Sequence, residues 1–311
     1  GTQNVAVGSL AGDAMTTANN NVTVGHNSMG ANTTGSSNVA VGAAALAANT
    51  TAGSNTAVGN GALTANTIGF NNTAVGANSL DANVSGDYNV AMGTLALTTD
   101  ASGNKTTAIG YGALYNQNPA SGADVFNTAV GYAAGTAVTT GVQNTFVGAE
   151  AGDAITTASY NTAVGQGSLG STTTGINNTA VGRTSLFVNT TGTQNVAIGM
   201  DALQQNSTGS QNTAVGRSAL ITNTTASNNT ALGYTALHAN TTGTENIAVG
   251  TGCLDANTTA SYNTAVGTYA LSTNVLGSRN TAIGRDALFA VNSSSAADMY
   301  NSAVGFGAGS V

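Results

Sequence analysis

Side chains that could perform chemistry are few in this sequence, and they lie far apart. The chain has two histidines, His26 and His238, and one cysteine, Cys253. A catalytic zinc needs three converging protein ligands, and acid–base catalysis needs groups within hydrogen-bond reach of one substrate. Neither pattern is visible. We therefore expect no enzyme, no metal and no cofactor, and we expect Cys253 to be a small buried side chain.

Aspartates recur at one place in the sequence pattern, but never closely enough for a calcium ladder. They are Asp13, Asp81, Asp153 and Asp255. A ladder of that kind needs acidic ligands on every turn of a repeat. Because other residues separate these aspartates by several repeats, we expect no calcium site.

The charge balance excludes two classes of partner. The chain has 12 acidic and 5 basic residues, a net charge of −7. Nucleic acid and anionic membrane surfaces are bound by clustered Lys and Arg, which this sequence lacks. No apolar run approaches the roughly 20 residues of a membrane-spanning helix. We expect no nucleic-acid binding and no membrane insertion by this segment.

A 17-residue repeat organises the chain, and Asn178–Gly182, Asn-Thr-Ala-Val-Gly, is a clean copy of its start. The glycine of this motif recurs eighteen times, with two spacings of 21 residues. We number the repeat from position 1 at the Asn to position 17. Residues 1–311 then form a single repeat segment with four-residue insertions in 115–126 and 289–300, which we expect to be part of a longer fibre.

The repeat predicts an all-β fold. Positions 1 to 5 alternate in character, carry β-branched residues at positions 2 and 4, and end in Gly, which is typical of a short strand followed by a turn. The period is too short for a helix pair and is no multiple of a heptad. We predict a parallel β-solenoid of about eighteen 17-residue coils, with two short strands in each coil.

Each position can be assigned to a face of the coil. Position 1 predicts a ladder of stacked asparagines, here Asn161, Asn178, Asn195 and Asn212. The aliphatic positions 4 and 9 predict the core, here Val164, Val181, Leu186 and Ile198. The Ala row at position 3 then lies on the opposite face of the strand, where it suits close approach of a second chain. We predict a homo-oligomer, most simply a homotrimer.

Exchanges between two positions support a shared core slot. Position 9 is Gly in four copies: Gly12, Gly135, Gly152 and Gly309. In the three copies that continue, position 12 becomes apolar, as Met15, Val138 and Ile155. We interpret this as one slot that can be filled from either of two points on the coil.

The motif Asn-Thr-Ala-Val-Gly, and most closely Asn195–Gly199, resembles the head repeats of trimeric autotransporter adhesins. It also resembles repeat-rich, tail-fibre-like proteins of bacteria and phages, although the 17-residue period is longer than is usual in the adhesins. The resemblance implies a trimer of left-handed parallel β-rolls used for attachment. It implies no catalytic residues.

These patterns favour a structural or adhesive fibre segment that is extracellular, on a cell surface or on a virion. A self-assembling end-to-end filament and an ice-binding solenoid with Thr at positions 13 and 14 are the alternatives. The partner of an adhesive segment is expected to be a surface glycan or a host receptor. The insertions are the best places for recognition, because loops carry function on rigid scaffolds, and they point to Tyr115, Phe126 and Tyr300.

Overall fold

The computed structural model describes residues 1–291 and 295–310. Within those ranges the secondary structure consists of short strands joined by turns, with no helix. The strands are β1 (Val5–Val7), β2 (Val22–Val24), β3 (Val39–Val41), β4 (Thr56–Val58), β5 (Thr73–Val75), β6 (Val90–Met92), β7 (Thr107–Ile109), β8 (Thr128–Val130), β9 (Thr145–Val147), β10 (Thr162–Val164), β11 (Thr179–Val181), β12 (Val196–Ile198), β13 (Thr213–Val215), β14 (Thr230–Leu232), β15 (Ile247–Val249), β16 (Thr264–Val266), β17 (Gly277–Ser278), β18 (Thr281–Ile283), β19 (Ala297–Asp298) and β20 (Ser302–Val304). The protein is all-β, as predicted.

The chain divides into two compact units, Gly1–Ser159 and Tyr160–Val311. In the first unit, β1 to β9 pair in parallel in chain order. In the second unit, β10 to β16 continue in the same way into β18 and β20. Partners come from equivalent repeat positions, so that Ala180 lies beside Ala163 and Ala197. The fold is a parallel β-solenoid of about 17 coils.

Most coils contain one strand and not the predicted two. The wall opposite the strand is a run of turns, in which Leu186 has a φ of 52°. Its amides bond within the turn and to the next coil: the Asn189 N–H donates to the Leu186 carbonyl at 3.4 Å, and the Val188 N–H donates to the Gln204 carbonyl at 2.9 Å. Because these bonds satisfy the buried backbone, a second strand is not required.

Glycine at position 5 ends the strand for a steric reason. Gly182 has a φ of 131°, a region that L side chains rarely adopt. A Cβ on Gly182 would lie 2.7 Å from the carbonyl oxygen of Gly199 in the next coil. The close stacking of coils therefore requires Gly at this position.

The core is lined by position 3 and by the wall of turns. Ala180 and Leu186 are fully buried. Val164 and Val181 are half-buried, and Ile198 is 39% exposed, so the core assignment is corrected for these three residues and stands for Leu186. Successive strand residues point to opposite faces. The narrow interior admits Ala from the strand and Leu from the opposite wall, which turns the position 4 side chains outward.

The exchange between positions 9 and 12 has the geometry that the sequence suggests. Val138 and Ile155 are fully buried, and Met15 is half-buried. Gly135 has a φ of 60°, in the left-handed region that Leu also adopts at position 9. Gly adopts this conformation without the strain that it imposes on Leu. Phe146 replaces Ala at position 3 in the coil of Gly152, next to the coil of Gly135, and a Cβ on Gly135 would lie 2.7 Å from the Phe146 Cδ2.

The large ring of Phe146 should therefore be a main determinant of stability. We expect Phe146→Ala to lower the free energy of unfolding by about 3–5 kcal/mol, because Phe146 is fully buried and the position 9 residues that face it, Gly135 and Gly152, have no side chain to fill the cavity. The matched control is Phe306→Ala, since Phe306 is 78% exposed and should cost less than about 1 kcal/mol. Denaturant unfolding followed by circular dichroism measures both, and equal losses would contradict this packing.

Candidate functional surface

A buried asparagine ladder at position 1 joins the coils. Asn161, Asn178, Asn195 and Asn212 are all at most 1% exposed. The Asn195 N–H donates to the Asn178 Oδ1 at 3.0 Å, and the Asn178 Nδ2 donates to the Gly192 carbonyl at 2.9 Å. Each side chain thus bonds the next coil and also closes its own coil.

A second asparagine ladder occupies position 12, and sequence reasoning missed it. The Asn206 Nδ2 donates to the Asn189 Oδ1 at 3.0 Å and to the Gly209 carbonyl at 2.9 Å. Asn223 continues the row by donating from Nδ2 to the Asn206 Oδ1 at 2.7 Å. The sequence signal for this second ladder was the frequent Asn at position 12. Asn is also common in turns, so the pattern indicates a ladder only when the folded coil shows that position 12 is stacked in successive coils.

The two ladders are joined where Thr106 replaces the position 1 asparagine. Gln117 occupies position 12 of the same repeat, and its Nε2 donates to the Thr106 Oγ1 at 3.0 Å. The Asn127 Nδ2 donates to the Gln117 Oε1 at 2.8 Å. Since Gln is one methylene longer than Asn, the Gln117 side chain reaches from the position 12 row to the position 1 row. It makes the contact to Asn127, so that Thr106 can replace Asn at position 1.

Asp100 is a fully buried carboxyl in the second ladder. It accepts hydrogen bonds from the Gln117 Nε2 at 2.7 Å and from the Gly103 N–H at 2.6 Å. Burial raises the pKa of the Asp100 carboxyl above its usual 3.8, although the hydrogen bonds from Gln117, Gly103 and Ser102 oppose that shift. A neutral side chain would suit this site better than a carboxylate.

We expect Asp100→Asn to stabilise the protein at neutral pH by about 1 kcal/mol, since Asn restores the ladder residue without a buried charge. Because the pKa of Asp100 is higher in the folded state, its contribution to the free energy of unfolding is most favourable below pH 3.8. That contribution is lost as the pH rises through the pKa of the folded state. The stability of Asp100→Asn should therefore exceed that of the wild type most at pH values above the pKa of Asp100 in the folded state.

Thermal unfolding of both proteins from pH 3 to pH 8 measures this gain. Asp124→Asn is the control, because the hydrogen bond from Lys105 lowers the pKa of the exposed Asp124 carboxyl, which gives the opposite dependence on pH. A gain for Asp100→Asn that is the same at every pH would contradict the assignment.

The outward side of the strands forms an apolar surface, which we call the strand face and define by positions 2 and 4. In the second unit its aliphatic members include Ile198 at 39% exposed, Leu232 at 41% and Ile283 at 40%. Thr179 and Thr213 at position 2 are half-buried beside them. Because the strands are in register, the same two rows recur on every coil of each unit.

Every cation of the chain borders this strand face. Positions 17 and 6 lie just before and just after the strand, and they hold Lys105, Arg279, Arg183, Arg217 and Arg285. At the same position of the next coil, each cation meets an aromatic or sulfur-containing side chain. The pairs are Lys105 with Phe126 at 5.2 Å, Arg279 with Tyr300 at 5.9 Å, Arg217 with Tyr234 at 6.0 Å, Arg285 with Phe306 at 5.9 Å, and the Arg183 Nη2 with the Met200 Sδ at 3.5 Å.

The end of each insertion is held by one of these cations. The Lys105 Nζ lies 2.6 Å from the Asp124 Oδ2, and the Arg279 Nε lies 3.0 Å from the Asp298 Oδ2. A parallel bridge between Asn104 and Asp124 adds to the first contact, and the pairing of β17 with β19 adds to the second. These contacts explain why both insertions end in an Asp that is followed two residues later by an aromatic residue.

The three candidate recognition residues have different surroundings. Phe126 and Tyr300 are 50% and 68% exposed, but both stack against insertion-holding cations. Tyr115 is half-buried at position 10, on the wall of turns, and its carbonyl accepts a hydrogen bond from the Thr99 Oγ1 at 2.9 Å. The predicted recognition loop at 292–298 lies partly outside the described residues.

Reactive and metal-binding groups are scarce among the residues that the structure describes. Burial raises the pKa of the Cys253 thiol to about 12, which keeps it protonated at neutral pH. Across residues 1–291 and 295–310, no three His, Cys, Asp or Glu side chains are grouped as metal ligands. The same residues include no helix with the length and apolar character needed to cross a membrane.

Comparison with protein-family models and with curated protein sequences gives no match for this chain.

Proposed function

We propose that this chain is a structural or adhesive segment of an extracellular fibre, on a cell or a virion, without catalytic activity, and that its copies associate through the strand face. The carrying observation is the partly exposed aliphatic row at position 4, on coils whose interior is already filled by Ala and Leu. A large continuous apolar area on the outside of a folded protein marks an interaction surface.

The size and regularity of the strand face support a second copy of the chain as its partner. Nine coils with two partly exposed side chains each offer on the order of 800 Å² per unit, the area that each partner contributes to a stable interface. A partner must also match a row that repeats at every strand, about 4.8 Å apart. Another copy has that spacing along its own strand face.

Three copies satisfy this geometry with closed symmetry. The strand face is only three residues wide, so three such faces can turn toward one axis and enclose their aliphatic rows. The resemblance to trimeric adhesin heads favours the same number. End-to-end stacking of coils into a filament remains an alternative, and a glycan or host receptor is the proposed target of the assembled fibre.

Association through the strand face predicts a mass of three times 30.1 kDa in sedimentation equilibrium. The variant Val181→Lys with Ile198→Lys should lower that mass to one chain, because burying unpaired charges in the interface costs several kcal/mol. The control is Thr191→Lys with Thr208→Lys, which adds the same charges at exposed position 14 of the same two coils. A wild-type monomer, or equal effects of both variants, would contradict the proposal.

Ice binding is a second candidate that one observation favours. The position 13 hydroxyls are committed to neighbouring coils, as in Thr190, whose Oγ1 donates to the Ser207 carbonyl at 3.0 Å. Thr179 and Thr213 at position 2 instead form part of the regular outward strand face. An ice-binding strand face predicts thermal hysteresis in the wild type that is lost in Val181→Lys with Ile198→Lys. A fibre segment predicts none in either protein.

A further inference from the structure

Two of the five cations differ from the rest in forming no ion pair with the residues that the structure describes. Lys105, Arg279 and Arg285 each form an ion pair, the last with Asp286 at 3.2 Å. Among residues 1–291 and 295–310, no carboxylate lies within ion-pair distance of Arg183 or Arg217. Both arginines are exposed. Their charge is therefore available to a ligand from solution.

The two arginines are held in one line by the repeat. Both occupy position 6, two coils apart, so their backbones are separated by about 10 Å along the stacking direction. The Arg183 Nη2 lies 3.5 Å from the Met200 Sδ, and the Arg217 guanidinium lies 6.0 Å from the centre of the Tyr234 ring. A guanidinium supported in this way retains N–H donors that can form a fork to a carboxylate.

We propose that the row Arg183, Met200, Arg217 and Tyr234, the cation row, binds an acidic polysaccharide through its carboxylates. A pyranose in an extended chain advances by about 5 Å, close to the coil spacing of about 4.8 Å. Successive sugars alternate in facing, so every second carboxylate matches the spacing of the two arginines. Tyr234 is 51% exposed and offers an aromatic face to a sugar ring.

Nearby acidic groups do not occupy the cation row. Asp201 lies at position 7 of the intervening coil, where its Oδ1 accepts hydrogen bonds from the Thr184 Oγ1 at 2.5 Å and the Gln204 Nε2 at 3.2 Å. The net charge of −7 disfavours general attraction of a polyanion, so binding must come from the local row. One exposed ion pair is weak, and linking two along a polymer raises the affinity.

Calorimetric titration of the full chain with oligomannuronate of about ten sugars, a β-1,4-linked extended chain with one carboxylate on each sugar, tests the cation row, with its methyl ester as the neutral probe. We expect wild-type binding that weakens at high salt and no binding of the ester. Arg183→Gln with Arg217→Gln should reduce the affinity about tenfold, because two linked contacts are lost. Arg285→Gln is the matched control, since it shares position 6 and an aromatic neighbour but is ion-paired.

Four outcomes would overturn the proposal. They are no wild-type binding of oligomannuronate, equal binding of its methyl ester, unchanged binding by the double variant, and an equal loss for Arg285→Gln. Sedimentation of each variant separates this question from self-association, because the comparison is made between proteins of equal mass. A double variant that changes the mass of the assembly and leaves oligomannuronate binding intact would assign the cation row to the contact between copies.

Discussion

The structure depends on the stacking of identical positions in successive coils, joined by buried asparagine side chains. Asn178 and Asn195 show the arrangement, since each side-chain oxygen accepts from the next coil while its amide closes its own coil. A buried amide without such partners would destabilise the fold by about 1–3 kcal/mol. The ladder therefore works only if neighbouring coils keep the same register, which explains why the 17-residue period is so strictly maintained.

The narrow interior then determines what the surface can be. A coil with one three-residue strand has room for Ala at position 3 and for Leu from the opposite wall. Leu186 reaches that slot only by adopting a left-handed backbone, at a cost of about 1–2 kcal/mol that burial of its side chain, worth about 1.5–3 kcal/mol, offsets. The remaining aliphatic side chain of the motif, Val181, has no place inside. The strand face is thus a consequence of a core that is too thin for two branched side chains.

Much of this architecture could be predicted from the sequence, since period, strand and Asn position are all periodic. The inward face could not be read from alternation alone, because alternation places positions 3 and 4 on opposite faces without saying which is inside. We predicted that the larger residue, Val at position 4, points inward, and this prediction was wrong, because Ala at position 3 points inward instead. A better signal was present: Phe146, an exception at position 3, falls beside two of the rare glycines at position 9, Gly135 and Gly152. Only side chains that share one interior would compensate in this way.

The same stacking explains why charge is sparse and how recognition can arise. In an in-register stack each side chain meets its equivalent about 4.8 Å away, where like charges repel. Accordingly, no two like charges occupy one position in adjacent coils of this sequence. A cation must be followed by a neutral neighbour, and Met200 after Arg183 and Tyr234 after Arg217 fill that role. Charge-based recognition on such a wall is thereby restricted to groups at least two coils apart, which is the spacing of alternate units in an extended polymer.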